Sequence, residues 1–332
     1  LNPTCPSCGH TYEADSVFCD ECGHNFREIK IVHPVNYSKQ QSYTPKFLAD
    51  KILTTRGSIE GERKVVTVLF ADVANYTSIS EKLDPEDVHR LIDGCFKIIM
   101  KEVHKYEGTI NQFTGDGVMA LFGAPLSHED HAQRGCRASL AIQSAMTNYS
   151  DKVKGDFDLE FKMRIGINSG PVIVGAIGDD LRLDYTAIGD TTNLAARIET
   201  LASPGRVLLS ENTYRIVKAY FEVKSLGPVK VKGKKEPQKV YELLKPGKIR
   251  SRFEVSVSQG LTRFVGRKNS MATLSRAWNK VLSGSGQLLG IVGEAGVGKS
   301  RLLLEFRNFL PQDGFIYLPG QCLHYGSSIA YL

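Results

Sequence analysis

Hydrophobic and polar residues follow two different spacings along the middle of the chain. Residues 64–70 (KVVTVLF) form a largely apolar run, which is typical of a buried strand. Residues 85–106 then repeat apolar side chains at helical spacing, and one face of this predicted helix carries Val88, Leu91, Ile92, Cys95, Phe96, Ile99 and Val103. The pattern predicts a buried strand followed by an amphipathic helix.

The next stretch, GTINQFTGDGVMALFG, predicts a β-hairpin. Two apolar runs, 109–113 and 118–122, flank the tight sequence 115–117, and an Asp-Gly pair between strand-like runs is a strong hairpin signal. Both arms are too apolar for an exposed hairpin. We therefore expect Asp116 at the rim of a buried sheet.

The pattern continues to residue 244 with further strands and helices. It predicts a helix at 129–149, a strand at 161–168, a turn at 169–171, a strand at 172–177, a helix at 191–201 and strand–helix–strand elements after it. The order β-α-β-β-α-β predicts an α+β domain of ferredoxin-like architecture at residues 63–244, with C-terminal additions.

Four cysteines near the start of the chain have metal-ligand spacing. They form two Cys-x-x-Cys pairs, which supply the four thiolates that Zn²⁺ prefers: Cys5, Cys8, Cys19 and Cys22. A segment of this size cannot fold on its own core, so metal binding would supply the folding energy. Residues 1–28 resemble the short zinc ribbons of many bacterial proteins. We expect one structural Zn²⁺ there and a polar linker at 29–62, with a short helix around 46–53.

The sequence GEAGVGKS, residues 293–300, has the form of a phosphate-binding P-loop. A strand predicted at 287–292 and a helix from Arg301 give it the required context. Backbone N–H groups of the loop would hold the phosphates of ATP, Lys299 would reach the β/γ oxygens and Ser300 would ligate Mg²⁺. The predicted nucleotide-binding residues are Gly293, Gly296, Gly298, Lys299 and Ser300.

The sequence FVGR just before this motif resembles the entry to the AAA-related signal-transduction ATPases. We therefore expect a linker at 245–262 and the N-terminal part of an ATPase domain at 263–332. One more strand is predicted at 314–318, and no acidic Walker B strand follows. Weak nucleotide binding and little hydrolysis are expected from this segment.

Composition narrows the classes of function. Hydrophobic residues make up 42% of the 332 residues and charged residues 23%, values typical of a globular protein. The net charge is +6, but the basic residues are dispersed, and the densest run, 230–235, favours a solvated surface over a nucleic-acid site. No apolar run approaches the ~20 residues of a membrane span, and no signal peptide is evident. These features predict a cytoplasmic protein.

Two acidic residues stand where metal chemistry is possible. Asp72 ends the first strand, and Asp116 lies in a hairpin that neighbours that strand in a ferredoxin-like sheet. Carboxylates on adjacent strands suit a pair of divalent cations used in phosphoryl transfer. The alternative is that Asp72 caps the next helix and Asp116 only makes a turn. Asn193 and Arg197, four residues apart on one helix face, suit a ribose and a developing phosphate charge.

Four stretches together resemble the class III nucleotidyl cyclase catalytic domain. They are VLFADVANYTSIS, INQFTGDGVMALFG, RIGINSGPVIVGAIG and DYTAIGDTTNLAARIE, in the order of the family. With the ribbon and the P-loop, the whole order resembles bacterial multidomain cyclase–ATPase proteins with regulatory C-terminal parts. The resemblance implies that the 3′-hydroxyl of a nucleoside triphosphate attacks its own α-phosphorus and releases pyrophosphate.

The resemblance also implies a role for each matching residue. Asp72 and Asp116 would hold two Mg²⁺ or Mn²⁺ ions, with a main-chain carbonyl from Val73. Asn193 would orient the ribose and Arg197 would stabilise the transition state. The phosphates would be bound by Lys232 and by N–H groups of Ala74, Asn75, Tyr76 and Thr77. In this family the site lies between two chains, so a homodimer with two equivalent sites is expected.

Two further positions would read the purine, Gln112 and Thr186. Family members that use ATP usually carry Lys at the first and Asp or Thr at the second, whereas those that use GTP carry Glu and Cys. Gln can donate to adenine or accept from guanine. We expect ATP, because the acidic residue that demands guanine is missing. A guanylate or relaxed-specificity cyclase, or a non-catalytic cyclase-like dimerisation module, stays an alternative. A diguanylate cyclase is set aside because this chain lacks the Gly-Gly-Asp-Glu-Phe turn of that class.

Overall fold

The computed structural model describes residues 10–11, 44–55, 62–176, 183–184, 190–249, 251–294, 296–311 and 313–320. The chain divides into two compact units, Leu1–Tyr43 and Thr44–Leu332, and the second contains nearly all of these residues. The four cysteines of the predicted zinc ribbon, like Thr186, lie outside the described residues. Both assignments therefore stay predictions.

The second unit combines helices and strands. The helices are α1 (Lys46–Thr55), α2 (Tyr76–Ser80), α3 (Pro85–Lys105), α4 (His131–Phe157), α5 (Asp190–Leu201), α6 (Glu211–Val217), α7 (Arg252–Ser258), α8 (Lys268–Leu282) and α9 (Lys299–Phe309). The strands are β1 (Glu62–Val73), β2 (Thr109–Phe113), β3 (Gly117–Phe122), β4 (Met163–Ala176), β5 (Leu183–Asp184), β6 (Val207–Ser210), β7 (Phe221–Val229) and β8 (Gln238–Pro246).

The strands form one mixed sheet in the order β2-β3-β1-β4-β6-β8-β7, with β5 paired to β4. The first four strands have the order and antiparallel pairing of a ferredoxin-like sheet. The addition begins with the parallel pairing of β6 to β4 and continues with the antiparallel strands β8 and β7. The prediction of an α+β domain with C-terminal additions is confirmed.

The turn predicted at 169–171 is wrong, because β4 is a single strand of 14 residues. Ser169, Gly170 and Pro171 pair in register with Thr67, Val66 and Val65 of β1. The sequence signal was a local Ser-Gly-Pro combination, which favours a turn when no partner is present. Here the long neighbouring strand β1 supplies a continuous partner and overrides that local preference.

The two faces of the sheet are covered by different helices. Thr67 faces α4, since a Cβ on Gly135 of that helix would lie 3.0 Å from the Thr67 methyl group. Val66 and Val68, whose side chains alternate with that of Thr67, share a hydrophobic cluster with Ala195 of α5. Asp72 lies an even number of positions from Val66 and Val68 along β1, so it lies on the same face of the sheet. The strand therefore directs Asp72 toward the face that carries α5.

Helix α5 approaches β4 unusually closely at Gly166. A Cβ at that position would lie 2.2 Å from the Glu199 backbone nitrogen and 2.6 Å from the Ala195 carbonyl oxygen. Any side chain larger than hydrogen would push the helix off the sheet. Two hydrogen bonds fix the start of α5: Asn168 Nδ2 donates to the Thr191 carbonyl, and Thr191 Oγ1 donates to the Pro171 carbonyl, each at 2.8 Å.

The P-loop segment differs from its prediction. Residues 287–292 and 314–318 are not strands, and no described strand pairs with them. A strand forms only where a neighbouring strand satisfies its backbone N–H and C=O groups. Residues 287–292 have no such neighbour among the described strands, and the side chains of Leu288 and Val292 are 99% and 98% exposed. The short helix predicted near 46–53 is confirmed as α1, whose Leu48 is buried and packs on Leu126. In the described part of the chain, no helix is long and apolar enough to cross a membrane.

Candidate active site

The pairing of β1 with β3 brings Asp72 beside Asp116. Asp72 lies opposite Gly117 in the antiparallel register, so Asp116 precedes the paired position directly. The Val73 N–H donates to the Asp116 carbonyl at 3.2 Å and closes the rim of the sheet. A Cβ on Gly117 would lie 2.9 Å from Asp72 Oδ1. Glycine at this position therefore leaves room for the two carboxylates.

The two carboxyl groups are close enough to affect one another. Burial raises the pKa of Asp72 above its ordinary value, and the charge of Asp116 and a hydrogen bond to its carboxyl group raise it further. Arg164 NH2 lies 3.0 Å from Asp72 Oδ2 and lowers this pKa in part. Two neighbouring carboxylates repel each other unless they share a proton or a cation lies nearby.

Arg164 and Glu199 belong to the same site, although the sequence analysis did not identify either. Arg164 Nε lies 3.2 Å from Glu199 Oε1, so the guanidinium lies between Glu199 and Asp72. Burial, followed by the charge of Asp72, raises the pKa of Glu199 to about 7. We call the set Asp72, Asp116, Glu199 and Arg164 the acidic cluster. The sequence held one signal for Arg164: it lies two residues before Gly166 in the same strand, so both positions lie on the face of the sheet that α5 covers.

The oxygen atoms of this cluster fit a hard divalent cation. Carboxylate oxygens are the ligands that Mg²⁺ and Mn²⁺ prefer, and Mg²⁺ commonly uses one or two carboxylates together with water and substrate phosphates. Among the described residues, no group of three or more His, Cys, Asp or Glu side chains is arranged as a metal site by itself. Asp72 and Asp116 therefore fit the cation as a pair, with the remaining ligands supplied from outside the protein.

Asn193 and Arg197 lie on another face of α5. Glu199 and Ala195 pack toward the sheet, whereas Arg197 lies two positions from each and so projects about 160° away around the helix. The Arg197 guanidinium covers Gly233, where a Cβ would lie 3.0 Å from its NH2. Asn193 is exposed on the same side of α5 as Arg197. Within one chain, these two residues face away from the acidic cluster.

The remaining predicted phosphate and purine residues lie around this region. Lys232 is exposed in the turn that approaches Arg197, and the next lysine, Lys234, forms an ion pair with Asp190 at the start of α5. Gln112 is exposed on β2, opposite Met119 of β3.

In the segment after Val73, one of the N–H groups predicted to bind phosphate already has a backbone partner. The Ala74 N–H already donates to the Lys162 carbonyl at 2.9 Å. Asn75 precedes α2 with φ 60°, and Tyr76 and Thr77 form the first turn of that helix. The metal contact predicted for the Val73 carbonyl and the phosphate contacts predicted for residues 74–77 stay predictions.

Two of the predicted P-loop residues, Gly298 and Lys299, line a cavity of about 290 Å³ together with residues of α8 and of the segment 289–292. Gly296 and Gly298 have φ values of 84° and 91°, which glycine adopts without strain, and Lys299 begins α9. Lys299 Nζ donates to the carbonyls of Gly293 and Glu294 at 2.8 and 2.7 Å. The loop is thus folded around its own lysine, with Ser300 in the first turn of the helix.

Comparison with known proteins places this geometry in a family. A family model described as the adenylate and guanylate cyclase catalytic domain matches residues 60–245, more than half of the chain. The chain belongs to this family. A second model, described as an AAA ATPase domain, matches residues 263–332. The predicted nucleotidyl cyclase domain, followed by an ATPase domain, is confirmed at this level.

Individual relatives include cyclases of both substrate types. The chain is 34% identical over 206 residues to Adenylate cyclase 1 of Rhizobium meliloti (strain 1021), an alignment that covers 61% of this chain and 31% of that protein. It is 29% identical over 191 residues to guanylate cyclase soluble subunit beta-2 of Rattus norvegicus, covering 57% and 27%. The chain thus spans less than a third of the length of these curated relatives.

A solved structure shows the same fold over the cyclase region. The crystal structure of the adenylyl cyclase CyaB from P. aeruginosa is 32% identical in sequence and superposes with a TM-score of 0.54. The match covers 57% of this chain and 98% of that one. The ferredoxin-like sheet, with its C-terminal additions, is therefore the cyclase fold.

Proposed function

We propose that this protein is an adenylate cyclase that converts ATP to 3′,5′-cyclic AMP and pyrophosphate. The observation that carries the proposal is the pair of half-buried carboxylates, Asp72 and Asp116, held side by side at the rim of β1 and β3. The charge of this pair needs a cation, and its oxygen atoms suit the divalent cations that accompany nucleoside triphosphates. Membership of the cyclase family supplies the reaction class.

The residues of the chain would act mainly by positioning and by charge. Two Mg²⁺ or Mn²⁺ ions held by Asp72, Asp116 and the Val73 carbonyl would, when bound, neutralise the triphosphate and increase the acidity of the 3′-hydroxyl. Asn193 would hold the ribose so that its 3′-oxygen is in line with the α-phosphorus. Arg197 would stabilise the charge that develops on that phosphorus as the bond to pyrophosphate breaks. Lys232 and the N–H groups that follow Val73 would bind the β- and γ-phosphates.

The arrangement favours a site shared between two copies of the chain. Asp72 lies on the face of the sheet that α5 covers, whereas Asn193 and Arg197 lie on the side of α5 that points away from the sheet. One chain therefore does not bring the two sets of residues together. A symmetric homodimer places the acidic cluster of one copy against the Arg197 face of the other and creates two equivalent sites. This geometry supports the expected homodimer.

ATP is the preferred substrate in this proposal because Gln112 is neutral and can donate to adenine N1. Thr186 would contact the purine beside it. The second candidate is a guanylate or relaxed-specificity cyclase, and the similarity to a guanylate cyclase subunit is the observation that favours it. Cyclic AMP and cyclic GMP formation, measured side by side with Mg²⁺ and with Mn²⁺, separates the two.

The flanking segments would regulate the cyclase in this proposal. The P-loop would bind ATP with Mg²⁺, and the four cysteines near the start would bind one structural Zn²⁺ in a ribbon that docks to a partner. We place the protein in the cytoplasm, where its substrate is abundant. In the rival interpretation, a signalling ATPase uses a non-catalytic cyclase domain only for dimerisation.

Mixing two inactive variants tests the shared catalytic site. Asp72→Ala and Arg197→Ala should each abolish activity, because each spoils both sites of its own homodimer. Random exchange makes about half of the dimers mixed, and each mixed dimer keeps one intact site of two, so about a quarter of wild-type activity should return. Absence of recovery, with subunit exchange verified by a labelled chain, would refute the shared site. Absence of activity in the wild type with either triphosphate would favour the non-catalytic interpretation.

A further inference from the structure

The guanidinium of Arg164 bridges two carboxylates that come from different elements. Its NH2 lies 3.0 Å from Asp72 Oδ2 on β1, and its Nε lies 3.2 Å from Glu199 Oε1 on α5. The side chains of Arg164 and Asp72 are about three-quarters buried, and that of Glu199 is 10% exposed. Only the contact with Asp72 has the alignment of a hydrogen bond, so Glu199 holds the guanidinium mainly by charge.

The charges of this cluster do not balance. Asp72, Asp116 and Glu199 supply three carboxylates, and Arg164 supplies one positive charge. With all groups ionised, the cluster therefore has a net charge of about −2, which one divalent cation would neutralise. Arg164 occupies only Oδ2 of Asp72, and Oδ1 lies on the Gly117 side. A cation at Asp72 must, however, share this carboxylate with the positive charge of the guanidinium.

A cation that draws the Asp72 charge away from Arg164 creates a second problem, because a largely buried arginine without a partner is costly. Glu199 is placed to solve it. The contact between Gly166 and α5 fixes the backbone of Glu199 against β4, and Gly166 lies two residues from Arg164 on the same face. The Glu199 backbone is therefore held beside Arg164, and its largely buried carboxylate remains available to the guanidinium when Asp72 binds a cation.

We propose that Glu199 is a positioning residue for the metal site: it holds Arg164 and attracts its positive charge, so that Asp72 can bind a divalent cation. Glu199 acts through Arg164 and not as a ligand. The inference rests on the proposed role of Asp72 in metal binding and adds a residue that sets how readily the cation enters.

The test measures Mn²⁺ binding to the full chain by electron paramagnetic resonance in the absence of nucleotide. We define the site of interest as the Mn²⁺ binding that is lost in the Asp72→Asn variant. This definition separates it from any Mn²⁺ that binds at the P-loop. Glu199→Gln keeps the size of the side chain but removes its charge, so Arg164 stays on Asp72. We expect Mn²⁺ to bind about tenfold more weakly, as is usual when a residue that supports a metal ligand is altered.

A matched control is Glu242→Gln. Glu242 is 13% exposed in its side chain, lies on β8 of the same sheet and pairs with Arg206 at 3.1 Å, outside the acidic cluster. We expect this variant to bind Mn²⁺ with wild-type affinity. Urea unfolding of both variants verifies that they are folded under the conditions of the binding measurement.

The double variant separates positioning from a direct effect of charge. In the background Arg164→Gln, no guanidinium competes for Asp72, so Glu199→Gln should change Mn²⁺ affinity by less than about twofold. An undiminished tenfold loss in that background, or unchanged Mn²⁺ affinity in the single variant, overturns the proposal. If the wild type has no Mn²⁺ site that depends on Asp72, the proposed function itself fails.

Discussion

Two groups of charged side chains lie in the cyclase domain, and they differ in how their carboxylates are paired. The acidic cluster has three carboxylates and one guanidinium. The second group consists of Glu107, Asp130, Arg134 and His128, and we call it the balanced cluster because both of its carboxylates accept a hydrogen bond from Arg134. Glu107 Oε2 lies 2.8 Å from Arg134 NH1 and 2.9 Å from His128 Nε2, and Arg134 Nε lies 2.7 Å from Asp130 Oδ1.

The difference supports the proposal that the acidic cluster binds a cation, and it indicates that the balanced cluster contributes to stability. In the balanced cluster, Arg134 donates well-aligned hydrogen bonds to both carboxylates, and the side chains of Glu107 and Arg134 are each 4% exposed. In the acidic cluster, the pKa values of Asp72 and Glu199 are raised because burial and like charge disfavour their ionised forms. Such an unfavourable arrangement persists where a ligand compensates it, so perturbed carboxyl groups mark candidate sites.

The largest expected effect comes from changing a carboxylate to an amide in the acidic cluster. Asp72→Asn should lower cyclase activity at least about a thousandfold, because the cation site loses a ligand and its charge. The free energy of unfolding should stay the same or rise, since one of the crowded negative charges is gone. Cyclic nucleotide formation and urea unfolding measure the two quantities. A large loss of stability would show that Asp72 has a structural role like that of Glu107.

The balanced cluster should respond in the opposite way. Arg134→Met leaves the buried Glu107 carboxylate and the partly exposed Asp130 carboxylate without their shared guanidinium. Because Glu107 is deeply buried, the free energy of unfolding should fall by about 3–5 kcal/mol. Activity per folded molecule should persist, because this cluster does not contact the acidic one. Urea unfolding of the variant is compared with that of Arg215→Met, whose exposed pair with Glu211 should contribute less than about 1 kcal/mol. Equal losses in the two variants would contradict the comparison.

A divalent cation should stabilise one cluster and not the other. At a concentration of 100 times its Kd, Mn²⁺ should add about 2.7 kcal/mol to the free energy of unfolding, through preferential binding to the folded state. Thermal unfolding with and without Mn²⁺ measures this gain. Arg134→Met should keep the gain and Asp72→Asn should lose it. An equal gain in both variants would place the cation elsewhere in the protein.

The smallest expected effect concerns His104. Its backbone carbonyl accepts a hydrogen bond from the Glu107 N–H of the balanced cluster. Its Nε2 has no hydrogen-bond partner among the described residues, and burial lowers its pKa to about 4. The unfolded chain takes up the proton first, at its ordinary pKa of 6.5, so this contribution to stability is present above that value and is lost as pH falls toward 4. At pH 5 the loss should be about 2 kcal/mol.

Urea unfolding between pH 7 and pH 5 checks this dependence. His104→Gln should unfold with a smaller change over that range than the wild type, whatever its stability at pH 7, because the side chain no longer titrates. His128→Gln serves as the comparison within the balanced cluster. A wild-type slope that survives in His104→Gln would assign the pH dependence to other groups.

Much of the fold followed from local pattern. The apolar face of α3 is buried as its spacing predicted, and the hairpin of β2 and β3 forms around the Asp-Gly turn. The local reading was wrong where a partner strand was decisive. Residues 169–171 continue β4 because β1 pairs with them, and residues 287–292 are not a strand because no described strand pairs with them.

The sequence by itself determined the chemistry available to this protein: the two aspartates at strand ends, the Asn-x-x-x-Arg spacing and the P-loop. Each of these depends on residues a few positions apart, or on the ends of strongly patterned elements. Only the tertiary structure decided that Arg164 and Glu199 join Asp72, and that Asn193 and Arg197 face away from it. Those relations depend on the packing of α5 on Gly166 and on sheet register, which bring distant residues together and leave no periodic signal in the chain.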